Sequence, residues 1–258
     1  MLAQQAVRTF SNRGIHYAWF IVALTFAYGL SASTAMTVPG VLVIPIAKEF
    51  GWTIGDVASA MALRLFLFGA IAPLAGALLV RYGLRNMMAA SAALLVVGLV
   101  MAIAMASKLQ LWLSIGILLG VSPGLTALVV NATIATRWFS ARRGLVVGIL
   151  SSAIASGQLL LLPVAAWLSD HWGWRMALVP TLMLVILFGV LFAIFARNDP
   201  ADLGLAPYGE KDVVVQTDGL LCRPCSIHGG DQCPIGTFDC MMNISAEAVF
   251  EKLVQLIG

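Results

Sequence analysis

The sequence predicts an all-α membrane protein with six transmembrane helices and a short polar tail. Three observations point there. First, 60% of the 258 residues are apolar and only 10% are charged, against about 45–50% and about 25% in soluble domains. A chain this apolar has an apolar outside as well as an apolar core. Second, charge is segregated. Twelve Lys/Arg and three Asp/Glu lie between Met1 and Arg197, and three Lys/Arg and nine Asp/Glu follow, so the formal net of +3 hides two unlike regions. Third, apolar runs recur near the roughly 20 residues a helix needs to cross about 30 Å of hydrocarbon.

Residues 1–16 are polar and basic, and they read as an N-terminal extension. No cleavable signal peptide is expected, because the apolar run that follows is too long for an h-region. The first span covers residues 17–38, with an extension to 46 as an option. The second covers 54–80, the third 86–106, the fourth 111–136, the fifth 144–168 and the sixth 174–196. Asp199-Pro200 ends the last one. The joints are short: "RYGLR", "SKLQ", "RWFSARR" and "SDHWGW". Residues 17–197 are therefore one six-helix region, 198–218 a linker and 219–258 a tail.

Basic residues set the orientation. Arg8, Arg13, Arg81, Arg85, Arg137, Arg142, Arg143 and Arg197 fall on one side, and Lys48, Lys108 and Arg175 on the other. The positive-inside rule makes the first side cytoplasmic, with both termini there. Trp19, Trp52, Trp112, Trp138, Trp172 and Trp174 lie near span ends, where interfacial anchors belong.

Inside the spans, Arg64 lies about ten residues into the second, near the midplane. A charge there costs at least about 2.5–3.5 kcal/mol on insertion scales. One reading is an anion site, with the guanidinium facing a cavity and pairing with a substrate carboxylate. Another has Arg64 held by span-end carbonyls or by a partner in a further half. Asn131 and Gln158 are the other strong hydrogen-bonding side chains, lining a cavity or joining helices. Glu49 and Asp56 are too shallow for proton carriers. Pro39, Pro45, Pro73, Pro123, Pro163 and Pro180 punctuate the spans as kinks, or as hinges of a rocking motion.

The stretch "GALLVRYGLR" resembles the loop after the second helix of major facilitator superfamily transporters, Gly-x-Leu-x-Asp-Arg-x-Gly-x-Arg. Gly76, Leu78, Arg81, Gly83 and Arg85 fit; Val80 stands where the family has an Asp that helps latch the carrier. "RWFSARRGLVVGI" and "GWRMAL", with "YAWFIVALTFAYG" and "IPIAKEFGWT", resemble the monocarboxylate and oxalate/formate branch. The resemblance implies half of a major facilitator fold, two inverted three-helix repeats in the cell inner membrane. It implies secondary active transport of a small organic anion by alternating access. Gly76, Arg81, Gly83, Arg85, Arg137, Arg142 and Arg143 would form the two gating loops, and Arg64, Asn131 and Gln158 the substrate site. The expected partners are the anion, the bilayer, and a second six-helix half or a second copy. No nucleic acid, no cofactor and no enzymatic activity are expected.

The tail holds all four cysteines, Cys222, Cys225, Cys233 and Cys240. A reducing cytoplasm argues against disulfides. A thiolate metal site is an option, although the spacing fits no common zinc module. Ser245 can cap a last helix, with Val249, Phe250, Leu253, Val254 and Ile257 on one face. "CRPC", "CPIG" and "CMMNISAEAVFEKL" resemble the end of heptosyltransferase-like glycosyltransferases, which implies a chimera. Two alternatives to a carrier half stay open: an inactive fragment, or a membrane anchor for that tail.

Overall fold

The structure is a computed structural model that describes residues 2–11, 15–126, 129–209, 217, 233, 236–247 and 249–251. It divides into two compact units, Met1–Gly209 and Glu210–Gly258.

In the first unit α1 (Leu2–Ser11) leads into α2 (Tyr17–Val41), α3 (Val43–Phe50), α4 (Ile54–Ile103) and α5 (Lys108–Leu111). A π-helical stretch, Trp112–Leu118, continues as α6 (Leu119–Thr126). Then come α7 (Val129–Arg137), α8 (Arg143–Trp172) and α9 (Trp174–Phe195). Five stretches are long and apolar enough to cross a membrane: Tyr17–Val41, Ile54–Ile103, Lys108–Arg137, Arg143–Trp172 and Trp174–Phe195.

At 1.5 Å per residue, the 50 residues of α4 would reach about 75 Å, more than twice the hydrocarbon thickness. The helix instead turns at Gly83, whose φ of 79° and ψ of 161° are not helical. Contacts with α6 give the direction of each limb. A Cβ on Gly116, Gly120 or Gly124 would meet Leu63, Arg64 or Phe68, so residues 60–68 run alongside 116–124. Ser91 bonds Ser122 and Gly98 lies against Leu119, so residues 91–98 run against the same helix. α4 is therefore two antiparallel limbs, and the six expected spans are six limbs in five helices. Glycine is needed at the turn for two reasons: its φ is positive, and a Cβ would lie 2.7 Å from the Asn198 side chain.

Local chemistry explains the other boundaries. Pro39 has no N–H to donate, and α2 stops two residues later, with the Leu42 N–H returning to the Pro39 carbonyl. Thr53 and Asp56 form a capping box at the start of α4. Gly51 and Gly173, both at positive φ, end α3 and α8. The outer faces of α8 and α9 stay apolar and exposed, with Leu159 76% and Met183 63% accessible, as faces turned to lipid require.

The two ends of the bundle differ in charge. At one end Glu49 accepts from the Arg175 guanidinium and the Trp174 indole, and Asp56 pairs with Lys108 at 2.8 Å. Arg175 also donates to the Ile103 and Met105 carbonyls and lies over the Trp174 ring. The hydrogen bond from Arg175 holds the Glu49 carboxyl below the usual Glu range. A carboxyl with a lowered folded pKa stabilises above its unfolded value, and that contribution fades as pH falls through the folded one. Unfolding scans below pH 4.5, the ordinary Glu value, should therefore show a loss that Glu49→Gln lacks. Identical pH slopes in both chains would contradict this.

At the other end the arginines dominate. Arg85 donates from Nε to the Ala193 carbonyl at 2.7 Å, and its backbone N–H reaches Asn198 at 3.1 Å. Arg137 pairs with Asp199 at 3.2 Å, and Arg143 donates to the Phe139 carbonyl. Residues 199–208, read from the sequence as linker, lie within this first unit. Tyr208 donates its N–H to the Trp138 carbonyl and accepts the Ser140 N–H on its own carbonyl, at 2.8 and 3.1 Å. Its ring meets Trp19 and Phe139. This strap holds a loop with two unfavourable features: Arg142 at φ 61° and the Trp138 indole N–H, buried without a partner. Tyr208→Pro removes the donated N–H, so limited trypsin digestion should cut after Arg142 and Arg143 several-fold faster than in wild type. An unchanged cutting rate would count against the strap.

In the second unit the described residues include α10 (Asp239–Met242). The Val249 N–H donates to the Ser245 carbonyl, so a helical turn begins at Ser245. Val249 and Phe250 are exposed. Cys222, Cys225, Leu253, Val254 and Ile257 lie outside the described residues. Among those described, no three His, Cys, Asp or Glu gather as a metal group would need.

Candidate functional site

A cavity of about 450 Å³ opens inside the first unit, within the range of small-molecule sites. Three residues singled out from the sequence meet in it. Arg64 comes from the first limb of α4, Asn131 from α7 and Gln158 from α8, and all three line the cavity. They lie on three different helices, and nothing in their spacing along the chain says that they meet. Thr25, Tyr28, Ser33 and Thr37 of α2 add hydroxyls, while Met36, Phe68, Met88, Leu150 and Ile154 add apolar surface.

Arg64 is the one charged residue on the wall, and it is 5% exposed. Its Nε and Nη1 are buried with no hydrogen-bond partner. The carbonyl-capping alternative is therefore not what the structure displays among the described residues. Among the described residues no acid pairs with it, and Glu49, Asp56 and Asp199 pair with Arg175, Lys108 and Arg137.

The wall hydroxyls are spent inside the protein. Thr25, Ser33 and Thr37 donate to the Ile21, Leu30 and Ser33 carbonyls at 2.7, 2.8 and 3.1 Å. Tyr28 belongs to a buried cluster with Ser91, Ser122 and Thr126. Ser122 donates to the Ser91 carbonyl at 2.7 Å and Ser91 to the Ser122 carbonyl at 3.0 Å. With one proton per hydroxyl, the set closes when Tyr28 and Thr126 both donate to the Ser91 oxygen, at 3.1 and 3.3 Å. The donors left facing the cavity are Arg64 and the amides of Asn131 and Gln158. One unpaired cation, two amides and an apolar remainder suit a compact anion.

The motif residues lie elsewhere. Gly76 sits on the first limb of α4 with nothing within 4 Å of an added Cβ. Arg81 is exposed, its guanidinium 5.5 Å from the Tyr82 ring. Val80 is 79% exposed and makes no latch. Gly83 and the Arg85 backbone engage Asn198 in the segment after α9 instead, and Arg137 and the loop that leads to Arg142 and Arg143 engage the same segment. Sequence reasoning missed the Tyr28–Ser91–Ser122–Thr126 cluster and the Tyr208 strap, which carry no motif. It also missed the small-residue ridge of Gly116, Gly120 and Gly124, whose four-residue spacing was there to read.

The family model described as Major Facilitator Superfamily matches residues 24–230. That match runs into the first residues of the segment read as a glycosyltransferase-like tail. Monocarboxylate transporter 11 of Mus musculus is 33% identical over 168 residues, covering 63% of this chain and 36% of that protein. The Homo sapiens protein of the same name is 32% identical over 168 residues, 63% of this chain and 34% of that protein. Monocarboxylate transporter 13 of Bos taurus is 26% identical over 165 residues, covering 38% of its length. The chain thus spans little more than a third of the relatives it matches. A match over most of the sequence, on apolar helical limbs that surround a central cavity, makes this chain a member of the Major Facilitator Superfamily.

Proposed function

We propose that this chain is the N-terminal six-helix half of a secondary carrier that moves a small, monocarboxylate-like organic anion across a membrane by alternating access. The observation that carries the reading is Arg64: a buried guanidinium with two unpartnered nitrogens, on a cavity with no acid in its wall. A charge kept at that cost is worth keeping if a ligand pairs with it. Asn131 and Gln158 complete the donor set around the substrate carboxylate. A second six-helix half, or a second copy of this chain, closes the cavity from the other side.

In this reading the loops at Gly83–Arg85 and Arg137–Arg143 are gates. The arginine-rich end faces the cytoplasm, and the membrane is the cell inner membrane. The names of the relatives support the substrate class. Residues 219–258 are read as a fused glycosyltransferase-like end without activity of their own. A sequencing read from the source genome across codons 205–225 tests that fusion, and a break there would sink it.

Transport is tested by uptake of labelled small carboxylates into liposomes holding this chain, alone or mixed with a separately made second half. Saturable uptake in either mixture is expected. None in either would favour an inactive fragment.

A further inference from the structure

Arg64 owes its place to the helix behind it. Gly116, Gly120 and Gly124 form one ridge, each four residues from the next, and the ridge lies on the backbone of residues 60–68. The three are not equivalent. A Cβ on Gly116 would meet the Leu63 side chain at 3.1 Å, and a flexible side chain can move aside. A Cβ on Gly124 would lie 3.0 Å from the Phe68 carbonyl oxygen. A Cβ on Gly120 would lie 2.8 Å from the Arg64 carbonyl oxygen and 3.0 Å from its Cα. Backbone cannot rotate away, so the two helices must separate there by at least several tenths of an ångström. The same helix, α6, carries Pro123 and Thr126 of the cavity wall. The distance between Arg64 and that wall is therefore set where Gly120 touches the Arg64 backbone.

We infer that Gly120 is the positioning residue of the anion site: by letting the helix close on the Arg64 backbone, it fixes the guanidinium in the cavity wall and makes the cavity prefer an anion to a neutral ligand of the same shape. The inference rests on the anion-site reading of Arg64. A role in packing alone would weaken all ligands together. A positioning role weakens the charged one selectively, because a charge-assisted hydrogen bond depends on geometry more steeply than apolar contact does.

The test is the ratio of affinities for butyrate and butyramide, measured by NMR titration of the full chain in lipid nanodiscs. Wild type should favour butyrate at least about tenfold, and Arg64→Ala should remove the preference. If wild type shows no preference, or Arg64→Ala keeps it, the anion site itself fails. Granted both, Gly120→Ala should lower the ratio several-fold, Gly124→Ala less, and Gly69→Ala, where an added Cβ meets nothing within 4 Å, not at all. A Gly120→Ala chain with the wild-type ratio, or with both affinities reduced equally, overturns the inference. Should Gly120→Ala not fold, Gly124→Ala decides: a partial loss of the ratio supports the inference, and the wild-type ratio overturns it.

Discussion

Arg64→Ala should weaken saturable carboxylate uptake roughly tenfold to a hundredfold in apparent affinity and yet leave the bundle as stable as wild type, or more so. The two halves of this expectation come from one fact. The guanidinium is 5% exposed, and two of its nitrogens have no partner. It makes no described hydrogen bond whose loss would weaken the fold. Its burial carries the cost of an unpaired charge, about 2.5–3.5 kcal/mol on insertion scales. Removing it relieves part of that cost. For the substrate the sign reverses. A carboxylate deprived of its cation loses a charge-assisted contact of about 1.5–3 kcal/mol, which is roughly tenfold to a hundredfold in affinity. Side-by-side uptake and thermal unfolding of the two chains read both signs. A marked loss of stability in the variant would make Arg64 a structural residue instead.

The largest loss of stability is expected from Gly157→Ala. Gly157 is buried where α8 crosses α2, and an added Cβ would run into the Leu30 carbonyl oxygen and the Ser33 hydroxyl. Leu30 is held by its helix, and its carbonyl already accepts from Ser33 at 2.8 Å. Neither helix can yield without opening the seam between them, and forced overpacking costs about 1–3 kcal/mol or more. Gly148→Ala, on the same helix with nothing within 4 Å, should be neutral or slightly stabilising, since alanine favours helix over glycine by about 1 kcal/mol. Adding Ser33→Ala to Gly157→Ala should recover only part of the loss, because the carbonyl remains. Unfolding midpoints of the four chains in one detergent would measure this, and equal midpoints for Gly157→Ala and Gly148→Ala would refute the close crossing.

The fold was legible in the sequence because lipid imposes a simple rule. Apolar runs of helical length could only be spans, and each short joint could only reverse the chain. The turn at Gly83 was visible in its motif, and Arg64 was visible as the lone charge between Ile54 and Val80 other than Asp56 near its start. The site itself was only half legible. Arg64, Asn131 and Gln158 could be named as polar residues in apolar runs, but their shared cavity depends on helix rotation and crossing, which hydropathy does not encode. The serine and tyrosine hydroxyls of the Tyr28 cluster are ordinary residues in spans. Only their partners, 31 to 63 positions away, give them meaning. Tyr208 looked like linker for the same reason: its bonds run through its backbone, and a backbone group leaves no mark on composition.

If Arg64 receives an anion in the cavity, a bound carboxylate must cover its guanidinium. The most direct measurement is its modification by phenylglyoxal, which attacks guanidinium groups, in wild-type chain in nanodiscs, mapped by mass spectrometry with and without butyrate. Slow labelling of Arg64 that saturating butyrate suppresses is expected, while exposed Arg142 is labelled at the same rate in both. Labelling of Arg64 that butyrate leaves unchanged would contradict it.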